Sequence, residues 1–340
     1  MSTTIRDIAR ESGVSISTVS YVLNGGPKPV SAHVRERVNA VVRRLDYHPN
    51  AVARGLSRRR MDTLGIIYTY WDVNTTDFYF LSVLHGILSA CTRHKQASTL
   101  FTSRHWNETA TAISQYSDGR CDGIIVIGPP DDCNLVHQLA ERKVPTVVVN
   151  TMLEQTHVAC VDVDNVNAMN TITKHVLSLG HRKVALLTGE PNMQSCSLRT
   201  LGFQAACDEF AIPDEDRRVI EGQYRTDSGY DRTMKLLELP VEARPTAICA
   251  TNDAIASGAI AAIMDRGLRV PYDISVTGFD DVADAKMCQV PITTMRQPFS
   301  VLGGEAVSRL IHMLNGETVV GNTIVPAELI IRDSTAPRPA

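Results

Sequence analysis

From Thr63 onward, short apolar runs of strand length alternate with amphipathic stretches of helix length, and no other feature limits the fold as tightly. Strands are predicted near Thr63–Tyr68, Ala97–Thr102, Gly123–Ile127 and Thr146–Asn150, with helices near Phe78–His94, Glu108–Ser117 and Cys133–Arg142 between them. A second series predicts strands near Lys183–Thr188, Arg218–Glu221, Ala247–Thr251 and Ile274–Thr277, with helices near Val166–Leu179, Leu198–Phe210, Ser228–Leu237 and Asp253–Arg266. Strands joined through helices run parallel, and a parallel sheet needs cover on both faces. Two such series make two similar α/β lobes. A helix near Val301–Leu314 and a last strand near Asn322–Ile331 are expected to follow Pro291.

The first sixty residues follow a helical period instead. Thr4 can cap a short helix with Asp7 reaching back to it, Ile5, Ile8 and Ala9 form one apolar stripe, and Gly13 supplies the corner that ends it. Ser15 then caps a second helix with Val19, Val22 and Leu23 facing inward and Ile16, Ser17 and Tyr21 facing outward. Ser31 caps a third carrying Val34, Val38, Val41, Val42 and Leu45. This spacing fits a helix-turn-helix whose outer face enters a DNA major groove, and it also fits an ordinary helical hairpin.

Charge favours the first of these. Residues 1–60 carry a net +7 and the remaining 280 a net −10 within a total of −3, so the head alone suits a polyanion. Lys28, Arg35, Arg43, Arg44, Arg54, Arg58, Arg59 and Arg60 are candidates for phosphate neutralisation, which positions a protein without reading sequence. With 340 residues, 44% of them hydrophobic, the chain is long enough for two or three domains. No apolar run has the length of a membrane span, and the N-terminal residues open into a capped helix without a signal-like run, so a cytoplasmic location is expected. The eight cysteines show no Cys-x-x-Cys spacing, and neither a metal nor a disulfide is assigned to them.

Residues 4–24 and the segment from Tyr47 to Leu56 resemble the lactose-repressor/galactose-repressor (LacI/GalR) family of bacterial transcription regulators. Further similar stretches, Leu179 to Ala185, Arg199 to Phe203, Ala250 to Asp253, Gly278 to Asp281 and Thr293 to Pro298, follow in family order. The resemblance implies an α plus α/β fold: a three-helix helix-turn-helix DNA-binding domain over 1–48, a hinge helix within 49–61, and a two-lobed periplasmic-binding-protein-like core over 62–332. In that core the first subdomain is expected at 62–162 and 292–322, the second at 163–291 and 323–332, and a frayed tail at 333–340. It implies DNA contacts from Thr4, Ser15, Ile16, Ser17, Thr18, Ser20, Tyr21, Asn24 and Tyr47, and hinge contacts from Asn50, Ala53, Arg54 and Leu56, with Leu56 as a minor-groove wedge. The implied partners are a palindromic double-stranded operator and a second copy of the chain. The tail lacks the leucine heptad with which some relatives form tetramers, so a homodimer is expected.

In open α/β sheets ligands sit beyond the carboxyl ends of the strands, and two joined lobes place those ends across a cleft. Family motifs put Asn150, Met193, Ser195, Arg199, Tyr224, Asn252 and Asp280 there, with Phe78, Tyr79 and Trp106 as aromatic candidates. Such a set suits a sugar or sugar derivative: Arg bridges adjacent hydroxyls, Asp and Asn accept, and an aromatic covers the apolar ring face. Each has a plain alternative. Asn252 can cap the helix it begins, Asp280 can belong to a turn, and the aromatics can be core. Purine-responsive relatives carry a basic residue where Met193 stands, which speaks against a purine. Release from DNA on ligand binding is the default expectation, with the opposite sign open. Two other classes remain. A solute-binding protein would need export. An enzyme would need chemistry that no G-x-G-x-x-G, G-x-x-x-x-G-K-[ST] or G-x-S-x-G motif provides here, so no enzyme and no cofactor are expected.

Overall fold

The computed structural model describes residues 3–24, 29–48, 55, 60–69, 78–103, 105–153, 158–319 and 321–338. The chain forms two compact units, Met1–Met61 and Asp62–Ala340.

In the head, α1 (Ile5–Ser12), α2 (Ile16–Asn24) and α3 (Ala32–Arg44) enclose a small core. Ile8, Val19 and Val38 are fully buried at its centre, flanked by Ala9, Val22 and Val41. Local chemistry sets the helix ends. The Asp7 N–H donates to Thr4 Oγ1 while the Asp7 carboxylate accepts the Thr4 N–H at 3.0 Å, and Gly13 takes φ 63° at the corner. Ser15 Oγ accepts the Thr18 N–H at 3.1 Å, and Ser31 Oγ accepts that of Val34 at 3.4 Å.

The body begins with β1 (Thr63–Thr69), α4 (Phe78–Arg93), β2 (Ala97–Ser103), α5 (Trp106–Thr111), α6 (Ile113–Tyr116), β3 (Gly123–Ile127), α7 (Leu135–Glu141), β4 (Thr146–Val149) and β5 (Ala159–Val163). The chain then crosses to the second lobe with α8 (Asn165–Ser178), β6 (Val184–Leu187), α9 (Gln194–Glu209), β7 (Arg217–Ile220), α10 (Thr226–Leu237), β8 (Ala247–Ala250), α11 (Asp253–Asp265), β9 (Ser275–Asp280), α12 (Ala283–Met287) and β10 (Thr293–Arg296). It returns with α13 (Phe299–Leu314) and β11 (Gly321–Val325), and crosses a last time to β12 (Glu328–Ile330). The sheets run β11-β5-β4-β3-β1-β2 and β12-β10-β9-β8-β6-β7. Apart from the antiparallel β10/β12 pair, neighbours are parallel. Among the described residues no helix is long and apolar enough to cross a membrane.

Several expectations need correction. β10 pairs with β9 from Thr293↔Thr277 onward, so the return to the first lobe begins at Gln297 rather than Pro291. The single last strand is two strands in different sheets, divided at Pro326, which has no N–H for a ladder. That moves the second boundary from 322/323 to the far side of β11. β5 carries Asp162 inside an otherwise apolar run and gave no strand signal, yet all five of its residues are buried. The helix expected over Glu108–Ser117 is two short helices, α5 and α6.

The tail as far as residue 338 is docked, not frayed. Ser334 is fully buried: its Oγ accepts the Thr293 N–H at 2.8 Å and donates to the Val276 carbonyl at 2.6 Å, while its own carbonyl accepts the Val276 N–H at 2.8 Å. The Arg338 N–H reaches the Leu179 carbonyl at 2.9 Å. Buried backbone groups of β9 and β10 need partners, and the tail provides them.

Candidate functional site

On the head, the outer face of α2 stands clear of the core. Ile16 is 45% exposed, Ser15 and Ser17 are exposed, and Thr18, Ser20, Tyr21 and Asn24 are half-buried. Part of this polar set is internally engaged: Ser15 Oγ lies 2.9 Å from Thr18 Oγ1, and Asn24 Nδ2 donates to Ser20 Oγ at 3.4 Å. Thr4 is committed to its capping box, and Tyr47 packs against the head core. Of the basic candidates, Arg44 pairs with Glu11 at 2.7 Å, and Arg35 donates to the Val22 carbonyl at 3.5 Å. Lys28, Asn50, Ala53, Arg54, Leu56, Arg58 and Arg59 lie outside the described residues.

In the body, strand ends from both lobes bring their polar groups into one buried network. Asn150, at the end of β4, and Asp280, at the end of β9, both hold left-handed backbone angles, φ 64° and 112°, which cost energy in any residue but glycine. Between them lies Gln297, whose Oε1 accepts from Asn150 Nδ2 at 3.2 Å and whose Nε2 donates to Asp280 Oδ1 at 2.7 Å. Arg199, on the first turns of α9, is 4% exposed. Its Nε donates to Asn165 Oδ1 at 2.8 Å, its Nη1 reaches the Thr251 carbonyl and stands 3.8 Å from Asp280 Oδ1, and its guanidinium lies over the Phe279 ring at 3.6 Å.

Asp162 accepts from Asn165 and Asn150, yet burial pushes its pKa up to about 6. Burial, and then the charge of Asp280, also raise Asp253, which accepts from Thr294 Oγ1 at 2.6 Å and from the Val282 N–H at 3.0 Å. Ser195 Oγ lies 3.0 Å from the Tyr224 hydroxyl, whose pKa burial raises to about 12. Asn150 Oδ1 is buried with no hydrogen-bond partner. An unpaired buried acceptor costs free energy that a donating ligand would recover.

The remaining expected residues are placed as follows. Asn252 caps α11, its Oδ1 accepting the Ile255 N–H at 2.9 Å, as the plain alternative had it. Trp106 is buried in an apolar cluster with Phe101, Ile113 and Tyr116, and Tyr79 packs edge-on against Phe299 at 5.7 Å. Both therefore serve packing, because the helices that begin there need anchors against their sheet. Phe78 is half-buried at the start of α4. Met193 precedes α9, and its methyl ends 3.9 Å from where a side chain on Gly128 of the first lobe would begin. Sequence reasoning missed Asp162, Asn165 and Gln297. Gln297 stood in a family-like stretch without a role, and Asp162, a lone acid in an apolar run, was the available signal. All eight cysteines are free, and the described residues hold no cluster of metal-ligating side chains.

Residues 4–50 match the model of bacterial regulatory proteins of the lacI family, and residues 173–335 match a periplasmic binding protein-like domain. Catabolite control protein A of Priestia megaterium is 31% identical over 340 residues, covering 98% of this chain and 100% of that protein. The crystal structure of the Lac repressor dimer bound to operator and the anti-inducer ONPF superposes with a TM-score of 0.88 at 29% identity, covering 99% of this chain and 100% of the other. The transcriptional regulator CelR in complex with cellobiose gives 0.73 at 26% identity, over 98% of this chain and 99% of the other. Matched in head and body alike, and over nearly its whole length, the chain belongs to the lacI family of bacterial regulatory proteins.

Proposed function

We propose that this transcription regulator is a repressor in which two copies of the head read a palindromic operator, and that a neutral sugar or sugar derivative bound between the lobes changes that grip. The protein acts in the cytoplasm at the nucleoid and releases DNA when the ligand binds. The observation that carries the ligand class is the buried, unpartnered Asn150 Oδ1 beside Asp162 and Asp280, an acceptor-rich setting that calls for a donor-rich ligand. Around it, Ser195, Tyr224 and Arg199 can donate in return. A purine has fewer donors to offer than a polyol, and an anionic sugar would meet the acids. The CelR complex with cellobiose lends support from a relative.

On the head, Ile16, Ser17 and Tyr21 read bases while arginines contact phosphates. The test is operator binding by the full-length dimer, with operators selected from a random pool. Binding should weaken steeply with salt, vanish on deletion of residues 1–61, and change base preference in Tyr21→Ala. A uniform loss across all sequences in Tyr21→Ala would give that residue a backbone role instead. Binding by the truncated body would overturn the assignment of the head.

A further inference from the structure

Among the described residues, direct hydrogen bonds join the two lobes through a short segment at the start of α9. Asn192 and Met193 lie between β6 and α9 of the second lobe, and Gln194 opens α9; the loops after β3 and β4 belong to the first. The Asp131 N–H donates to the Asn192 carbonyl at 2.9 Å, and Asn192 Nδ2 reaches Asp132 Oδ1 at 3.4 Å. Gln194 makes the tightest of these contacts: its Oε1 accepts the Met152 N–H at 2.7 Å, and its Nε2 donates to the Met152 carbonyl at 2.8 Å. One carboxamide thus pairs both backbone groups of one residue across the cleft, in the manner of a β-bridge.

We infer that Gln194 is a latch that holds the two lobes together without a ligand, so that a small molecule enters or leaves only when the Gln194–Met152 pair opens. Three features favour a latch over an incidental contact. The pair is bidentate and satisfies a peptide N–H and carbonyl that a merely adjacent side chain would leave to water. It sits at the first residue of α9, the helix that carries Ser195 and Arg199, so opening it frees the whole helix start. It also acts with the Asp131–Asn192 bond and with Met193 against Gly128, which makes opening cooperative rather than local.

The consequence for ligand exchange rests on the cleft being the ligand site, whereas the latch does not. The test contains no ligand, so failure of one leaves the other standing.

The experiment is amide hydrogen exchange by mass spectrometry on the full-length protein, following peptides that cover residues 128–134 and 150–153. In Gln194→Ala, exchange should accelerate by about tenfold in both peptides, the scale of losing a pair of hydrogen bonds. Acceleration of 150–153 alone, or of neither, overturns the latch. Gln194→Glu keeps the acceptor toward the Met152 N–H but sets a carboxylate oxygen against the Met152 carbonyl. That variant should be open at pH 7.5 and return toward wild-type protection near pH 5, after correction for intrinsic rates and against wild type at each pH. A pH-independent Gln194→Glu difference overturns the inference as well, and this series carries the test if the alanine variant does not fold.

Discussion

In the first lobe the strand order is β11-β5-β4-β3-β1-β2, in the second β12-β10-β9-β8-β6-β7, so each strand has a counterpart, and only the last pair differs in direction. The helices repeat as well. α4 crosses α13 where a Cβ on Gly303 would fall 2.4 Å from the Gly86 carbonyl carbon, and α9 crosses α8 where one on Gly202 would fall 2.3 Å from the Val166 oxygen. The polar content of the strand ends does not repeat. The second lobe carries Glu190, Arg199, Arg232, Asp253 and Asp280, all buried, whereas the first offers Asn150 and Thr151 with Asp162 beneath them. Shape is thus shared by the lobes, and buried charge belongs mainly to the second. The first contributes amides, backbone groups and one acid. A division of this kind lets one lobe bind a ligand on its own while closure of the other adds the last contacts.

The largest test of that division compares one residue from each side of the cleft. Arg199→Ala removes the donor to Asn165 Oδ1 and to the Thr251 carbonyl and the positive charge 3.8 Å from Asp280, all in a buried setting, and should cost about 3–5 kcal/mol of body stability. Asn150→Gly keeps the positive φ that alanine would strain, and should cost about 1 kcal/mol. Denaturant unfolding of the full chain, followed by tryptophan fluorescence, measures both, because Trp71 and Trp106 both belong to the body. Equal losses would erase the distinction between the lobes.

A second pair asks whether the shared architecture is also shared in energy. Gly303→Ala and Gly202→Ala each set a methyl group against opposing backbone, which cannot rotate aside, so each should destabilise by about 1–3 kcal/mol. A loss confined to one of them would show that one helix pair can slide and that the repetition is only topological.

Much of this was legible beforehand, and what was not has physical causes. The capped helices of the head and the central strands of both sheets announce themselves through short-range rules: Thr4 with Asp7, Gly13, and runs such as Gly123–Ile127. β10 and β12, with four and three residues, are too short to carry a period, so the crossovers could not be placed. The tail is polar and Pro-rich and reads as loose, yet Ser334 is held by bonds to Val276 and Thr293 that lie 58 and 41 residues away. Within the cleft, the residues matching family motifs, Asn150, Arg199 and Asp280, do meet. Gln297, which joins two of them, has no local signature, because its role exists only when both sheets are folded. Trp106 misled for the converse reason: an aromatic at a strand end looks the same in sequence whether it faces a ligand or a core.

The smallest expected effect concerns the one acid of the first lobe's network. Burial lifts Asp162 to about 6 from an ordinary value of 3.8, so between those values the native state holds a proton that the unfolded chain has released. Stability contributed by that proton is complete below pH 4 and is lost as pH rises through 6; between pH 5 and pH 7 the change amounts to about 1 kcal/mol. Asp162→Asn removes this share, so stability measured at the two pH values should fall by that much less in the variant than in wild type. Asp253 and Glu190 of the second lobe, also raised by burial, keep their own contributions in both proteins. An unchanged slope in Asp162→Asn would place all of the titration in the second lobe and make the division between the lobes sharper than the structure alone suggests.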